Sequence, residues 1–397
     1  MNRTVYLDHN ATTPLHPEVK SAIIEAMEIY GNASSMHQPG QAAHRAIEAS
    51  RTTIASFLGC APDELIFTGS GSEANNTVLN SIYCERLSCT NQSCKENHHC
   101  KNHLITTTIE HPSVLQTVKC YERRGFEVSY VPVDKYGIVD PEDIRKAIRP
   151  DTGLISVMYA NNETGSIQPI QEIAAIAKEK GVYFHTDAVQ ALGKQPFSLR
   201  DLKVDFMSLS GHKICAPKGI GLLYVNKNTR ICPLIYGGHH ERNRRAGTEN
   251  TLSIIGFGKA IEILEKEMHT NNAKMLKLRN KLREGLLERI PHMDINGHQE
   301  NCLPNSLNVT FAYVEGESIL LYADFEGIAF STGSACSTGS LDPSHVILAL
   351  GVDPEHAHGS IRFSLGRDNT EEDIDYVLEK LPPIIEKLRK MSPLYNQ

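Results

Sequence analysis

Leu154-Ile155-Ser156-Val157-Met158, a helical stretch from Ile170 to Lys180, then Val182-Tyr183-Phe184-His185 running into Thr186-Asp187: this succession decides the fold class. Two short apolar runs rich in β-branched and aromatic residues flank a segment with apolar residues at helical spacing. A strand, a helix and a second strand in that order form the crossover that a parallel strand pair needs. The alternation continues outward in both directions. Upstream stand Leu65-Ile66-Phe67-Thr68, Leu104-Ile105-Thr106-Thr107 and Glu127-Val128-Ser129-Tyr130-Val131, followed by helical segments from Ala74, around Ser113 to Arg124, and from Pro141 to Ile148. Downstream stands Val204-Asp205-Phe206-Met207-Ser208-Leu209, and before all of these Pro17–Glu28 and Ala42–Leu58 read as helices. The pattern predicts an α/β protein with a mostly parallel sheet covered by helices. Ligands in such sheets bind beyond the carboxyl ends of the strands.

Around Asn250 the character changes. A charged helical stretch, Ile254–Arg289, bridges into a smaller α/β C-terminal domain holding Leu307-Asn308-Val309-Thr310-Phe311 and a final helix from Glu371 to Lys390. The expected division is a large domain of residues 15–261 and a small domain of residues 1–14 and 262–397. The 397 residues carry a net charge of -7, which argues against bulk electrostatic binding to nucleic acid or an acidic membrane. No apolar run approaches a membrane span, and the N-terminal residues lack the apolar core of a signal peptide, so a cytoplasmic location is expected. Without a secretory signal, the ten cysteines read as reduced thiols, metal ligands or catalytic groups rather than a disulfide scaffold.

Polar residues just past the strands carry the chemistry. Ser210-Gly211-His212-Lys213 follows an apolar strand and precedes the glycine-rich Lys218-Gly219-Ile220-Gly221. A lysine held there is placed to form an imine with a carbonyl group, although a lone lysine is by default a solvated surface residue. Pyridoxal phosphate demands such a lysine, an anion for its ring nitrogen and a cradle for its phosphate. Asp187, past another strand, supplies the anion. Gly69-Ser70-Gly71-Ser72-Glu73, between a strand and a helix, offers backbone N–H groups to a phosphate.

Further motifs extend the pattern along the chain: Tyr6-Leu7-Asp8-His9-Asn10-Ala11-Thr12-Thr13, Asn161-Asn162-Glu163-Thr164-Gly165, Arg245-Ala246-Gly247-Thr248 and Ser360-Ile361-Arg362-Phe363-Ser364-Leu365-Gly366-Arg367. In their order the sequence resembles, nearly end to end, the cysteine desulfurases of the class V aminotransferase fold. The resemblance implies a pyridoxal-phosphate-dependent transferase of fold type I, in which Lys213 bonds the cofactor and Asp187 pairs with the ring nitrogen. Gln190 would bond the ring hydroxyl, and His111 would stack on the ring and shuttle a proton. Gly71, Ser72, Ser210 and His212 would hold the phosphate, with Thr248 contributed by the second subunit of a homodimer. Ser72 stands where the family often has threonine, and the hydroxyl donor survives. Arg362 would clamp the carboxylate of L-cysteine, with Asn162 orienting the same end.

Cys336 lies among small residues, Ser331-Thr332-Gly333-Ser334-Ala335-Cys336-Ser337-Thr338-Gly339-Ser340, that offer little to bury a thiol. It resembles the sulfur-accepting cysteine of the long-loop, iron–sulfur cluster type of desulfurase, which passes sulfur to an acceptor protein such as an iron–sulfur scaffold. Cluster assembly and thiolation of tRNA or a cofactor both stay open as destinations. A selenocysteine-preferring relative, or a sulfur-carrying scaffold, is an alternative. Cys84, Cys89, Cys94 and Cys100, in a His-rich insertion, form a possible metal site, though their gaps of four, four and five residues are not the two-residue spacing of strong zinc motifs.

Overall fold

The computed structural model of the chain describes residues 3–88, 101–332, 342–393 and 395, and of 84–88 the backbone alone. Numbered along the chain, the strands are β1 (Val5–Tyr6), β2 (Leu65–Thr68), β3 (His103–Thr107), β4 (Glu127–Val131), β5 (Thr152–Ser156), β6 (Tyr183–Asp187) and β7 (Phe206–Ser210). There follow β8 (Gly221–Val225), β9 (Met293–Asn296), β10 (Ser306–Phe311), β11 (Ile328–Ala329), β12 (Ser331–Thr332) and β13 (Ser360–Ser364).

A seven-stranded sheet runs in the order β2-β8-β7-β6-β5-β3-β4. All its neighbours are parallel except the two pairs made by β8, which runs antiparallel to β2 and to β7. Every residue of β3, β5 and β7 is buried, as strands coated by helices on both faces must be. The glycine-rich tail after Lys218 is short. It turns into β8, whose Gly221 lies opposite Thr68 of β2 on one side and Ser210 of β7 on the other. A Cβ at this position would sit 2.3 Å from the Ser70 carbonyl carbon, so only glycine lets the three backbones meet.

A second, antiparallel sheet, in the order β12-β13-β10-β9, carries the C-terminal part, while β1 and β11 form a short parallel pair. The helix Thr251–Arg289 spans 39 residues and is capped by Asn250, whose side chain accepts from the Ser253 N–H. Its first part buries Ile254, Phe257 and Ile261 in the core beneath the large sheet. Its second part places Met275, Leu278, Leu282 and Leu286 in the core of the small sheet. Each such side chain contributes about 1.5–3 kcal/mol relative to exposure, so one continuous rod is stabilised from both ends. The last helix, Glu371–Met391, lays Ile374, Leu378, Leu381 and Ile385 on that second core and begins with a Thr370–Asp373 capping box.

Candidate active site

The sheet delivers its polar residues at the carboxyl ends of the strands. Asp187 is the last residue of β6 and Ser210 the last of β7, after which Gly211–Lys213 makes a single tight 3-10 turn. Gly71 opens the helix Gly71–Ser88 after β2, and His111 caps the helix Pro112–Glu122 after β3. Asn10, from the N-terminal segment, and Arg362, from β13, close the other side. Together they line a cavity of ≈ 270 Å³.

The lysine ammonium is held by backbone. Lys213 Nζ donates to the carbonyls of Asn10, at 2.5 Å, and Ala11, at 2.7 Å. The Asp187 carboxylate is buried and fixed by two donors, Asn75 Nδ2 at 2.6 Å and the Val189 N–H at 3.0 Å. His111 Nδ1 accepts from the Ser113 N–H at 3.1 Å. Burial lowers its pKa, opposed by Asp187 and reinforced by Lys213, so the ring is neutral with its proton on Nε2. His212 meets Thr12 Oγ1 at 3.2 Å and is pushed down to about 4, by burial first and then by neighbouring lysines. At neutral pH its ring is therefore uncharged and able to hydrogen-bond.

Arg362 is almost fully buried. Its Nη2 bonds Asp8 Oδ1 at 2.8 Å and its Nη1 the Asn162 carbonyl at 3.2 Å, while its Nε–H has no acceptor among the described residues. A buried guanidinium N–H without an acceptor is costly unless a ligand provides one. The small-residue start of the helix Gly71–Ser88 is equally specific. A Cβ on Gly71 would stand 2.7 Å from Val189 Cγ2, so the helix N-terminus approaches the turn after β6 only because residue 71 is glycine. Glu73, held by Arg245 at 2.9 Å, bonds the Gly69 N–H and so pins this turn.

Of the residues singled out from the sequence, Lys213, His111, Gly71, Ser72, Asp187, Gln190, Ser210, His212, Asn162 and Arg362 all line this one cavity. Thr248 does not; it is exposed on the surface. Cys336, Cys89, Cys94 and Cys100, and the side chain of Cys84, lie outside the described residues. On either side of the segment that carries Cys336, described residues bond to the cavity wall or to a neighbour of it. Ser331 pairs with Arg362 across β12 and β13, and Ser344 Oγ donates to Glu163, the neighbour of Asn162, at 2.5 Å.

Three residues that matter here were not picked out from the sequence as site residues. Asn10 is the hub, since its carbonyl receives Lys213 and also Gln190 Nε2 at 2.9 Å. Asn75 holds Asp187, and its place one helical turn after Gly71, hence on the same face, was the available signal. Lys194 follows Gln190 by four residues in a turn rather than a helix, so no periodicity pointed to it.

The donor set fits pyridoxal phosphate. It combines a reachable amine, a buried oriented carboxylate, a glycine-lined helix N-terminus and a buried guanidinium with an unmet N–H in one enclosed volume. Residues 5–377 match the family model described as aminotransferase class-V. The chain is 50% identical over 394 residues to the cysteine desulfurase IscS of Methanosarcina thermophila, covering 99% of this chain and 95% of that relative. It is likewise 50% identical over 398 residues to the cysteine desulfurase IscS of Dictyoglomus turgidum, covering 100% of this chain and 98% of the relative. Among solved structures a NifS-like protein superposes with a TM-score of 0.88 at 39% identity, covering 97% of this chain and 100% of its own. A strand-end lysine site on this sheet, together with a family model and relatives that align over almost its whole length, places the chain in the class-V aminotransferase family, with the fold type I architecture of pyridoxal-phosphate enzymes.

Proposed function

We infer that the chain is a pyridoxal-phosphate-dependent cysteine desulfurase that converts L-cysteine to L-alanine and collects the sulfur on Cys336 as a persulfide. The observation that carries this reading is the convergence of Lys213, Asp187 and Arg362 on one cavity, with Ser331 paired to Arg362 on one side of the Cys336 segment and Ser344 bonded to Glu163 on the other. Bound pyridoxal phosphate supplies an electron sink that lets the carbon–sulfur bond of cysteine break. Lys213 holds the cofactor covalently, and Asp187, steadied by Asn75, keeps a proton on the ring nitrogen. Gln190 offers its N–H to the ring oxygen. Gly71, Ser72, Ser210 and His212 receive the phosphate, and Thr248 reaches the corresponding site of a second copy in a homodimer. Arg362 and Asn162 grip the substrate carboxylate, the guanidinium keeping its Asp8 partner and using its unmet N–H.

The Cys336 thiolate attacks the substrate sulfur. A sulfur–sulfur bond forms as the carbon–sulfur bond breaks, the electron pair stays with carbon, and a proton added at Cβ completes alanine. His111, neutral with its proton on Nε2, is the residue that moves protons beside the ring. The persulfide then passes to an acceptor protein, for which an iron–sulfur scaffold is the reading that relatives named IscS support. The chain works in the cytoplasm as a two-domain protomer divided as 15–261 against 1–14 with 262–397. No helix among the described residues is long and apolar enough to cross a membrane. Incubation of the holoenzyme with L-cysteine and a dithiol should release alanine and sulfide in equal amounts. Formation of pyruvate in place of alanine, or no product at all, sinks the reading.

A further inference from the structure

Below Gln190 lies a second lysine that the reaction as described leaves unused. Lys194 is buried, with its Nζ 2.9 Å from Gln190 Oε1 and 3.3 Å from Asn10 Oδ1. An amide side chain can present either its oxygen or its NH₂ in a given direction, and the two choices are nearly the same in shape. Here the chemistry of the neighbours leaves one choice. Lys194 in its protonated form only donates, so the atom facing it is then the Gln190 oxygen. A backbone carbonyl only accepts, so the atom 2.9 Å from the Asn10 carbonyl is Nε2. That nitrogen spends one hydrogen on Asn10 and keeps one for the cavity, which Gln190 lines.

Asn10 is locked in the same way. Its Oδ1 accepts from Lys194 and from Asn305 Nδ2 at 3.0 Å, and its Nδ2 donates to Ser306 Oγ at 2.8 Å and to the Asn162 carbonyl at 3.2 Å. Lys194 itself is anchored from the long helix, where Asn272 Nδ2 bonds its carbonyl at 3.0 Å. Burial, then the charges of Lys213 and Arg362, bring its pKa down to about 7, a sizeable cost for a residue that only fills space.

We propose that Lys194 is a positioning residue for the cofactor: it fixes the Gln190 amide so that an N–H donor, never the carbonyl oxygen, faces the ring oxygen. The role rests on the reading of Gln190 given above. A donor at that oxygen draws electron density from it and weakens its hold on the neighbouring imine proton, so losing the donor raises the affinity for that proton.

The test follows the visible band of the purified holoenzyme against pH with no substrate present, alongside cofactor content and thermal unfolding. Lys194→Met should raise the pH midpoint by about half a unit, roughly a threefold gain in proton affinity. Lys194→Gln, whose head ends one bond short of the ammonium, should do the same and carries the test should the methionine variant not accumulate as folded protein. Gln190→Ala should raise the midpoint by a similar amount, and adding Lys194→Met to it should move it no further. An unmoved midpoint in both Lys194 variants overturns the proposal. So does a full further shift in the Gln190→Ala background, since the lysine would then act by its charge alone. A wild-type protein with no visible band refutes the cofactor reading itself, which is a separate outcome.

Discussion

Replacing Glu110 by glutamine should change how stability depends on pH. Glu110 is fully enclosed beside His111. Its Oε1 accepts from Thr107 Oγ1 at 2.6 Å and the Met158 N–H at 2.9 Å, while its Oε2 has no partner. Burial, with a smaller push from Asp187, raises its pKa to about 8, against 4.5 for an ordinary glutamate. The folded protein therefore keeps a proton that the unfolded chain releases, and stability falls as pH rises from the unfolded value towards the folded one. With those two values, ionisation opposes folding by about 1 kcal/mol at pH 5 and about 3 kcal/mol at pH 7. Glutamine accepts the same two bonds and does not titrate. Relative to wild type, Glu110→Gln should gain about 2 kcal/mol between pH 5 and pH 7, or a few °C in Tm for a chain of 397 residues. Calorimetry of both holoproteins at half-unit pH intervals measures this directly. Parallel Tm curves would refute the reasoning, because they would mean that the buried carboxyl is not holding its proton.

Other outcomes follow from the site. Cys336→Ser should keep the visible band of the cofactor and lose persulfide, read by mass spectrometry after a single turnover, whereas Lys213→Ala should lose the normal band and turnover together. Arg362→Lys should raise KM for L-cysteine roughly tenfold or more, since a point charge replaces a planar donor pair; a KM within twofold of wild type removes Arg362 from the carboxylate grip. Gly71→Ala should weaken cofactor binding on the order of tenfold, measured by equilibrium titration, because the added methyl meets Val189 Cγ2 at 2.7 Å.

How much of this was readable in advance depends on distance along the chain. The parallel strands announced themselves as short runs rich in β-branched and aromatic residues alternating with helical segments, and Asp187 and Lys213 were found by standing at or just beyond their ends. β8 was not read from the sequence, where residues 218–221 stood only as a glycine-rich tail; its one glycine, Gly221, serves close backbone packing. β1 and β11 are two residues each, too short for any periodicity. Asn10 escaped notice as a hub because its partners lie some 150 to 300 positions away, and no local pattern encodes such contacts. The proton on His111 Nε2 was likewise invisible, being set by the Ser113 N–H that only the cap geometry brings to Nδ1.

The pairing of Gly221 with both Thr68 and Ser210 has a consequence for the width of the site. The gap between the amine and the anion cradle is a dimension of the main-chain ladder, fixed once β2, β8 and β7 have zipped together. The width of the berth in this structure is thus set by main-chain pairing and not by the side chains that line it. Exchange of side chains around the berth can retune affinity while leaving that width untouched, but a single methyl on residue 221 would spread it.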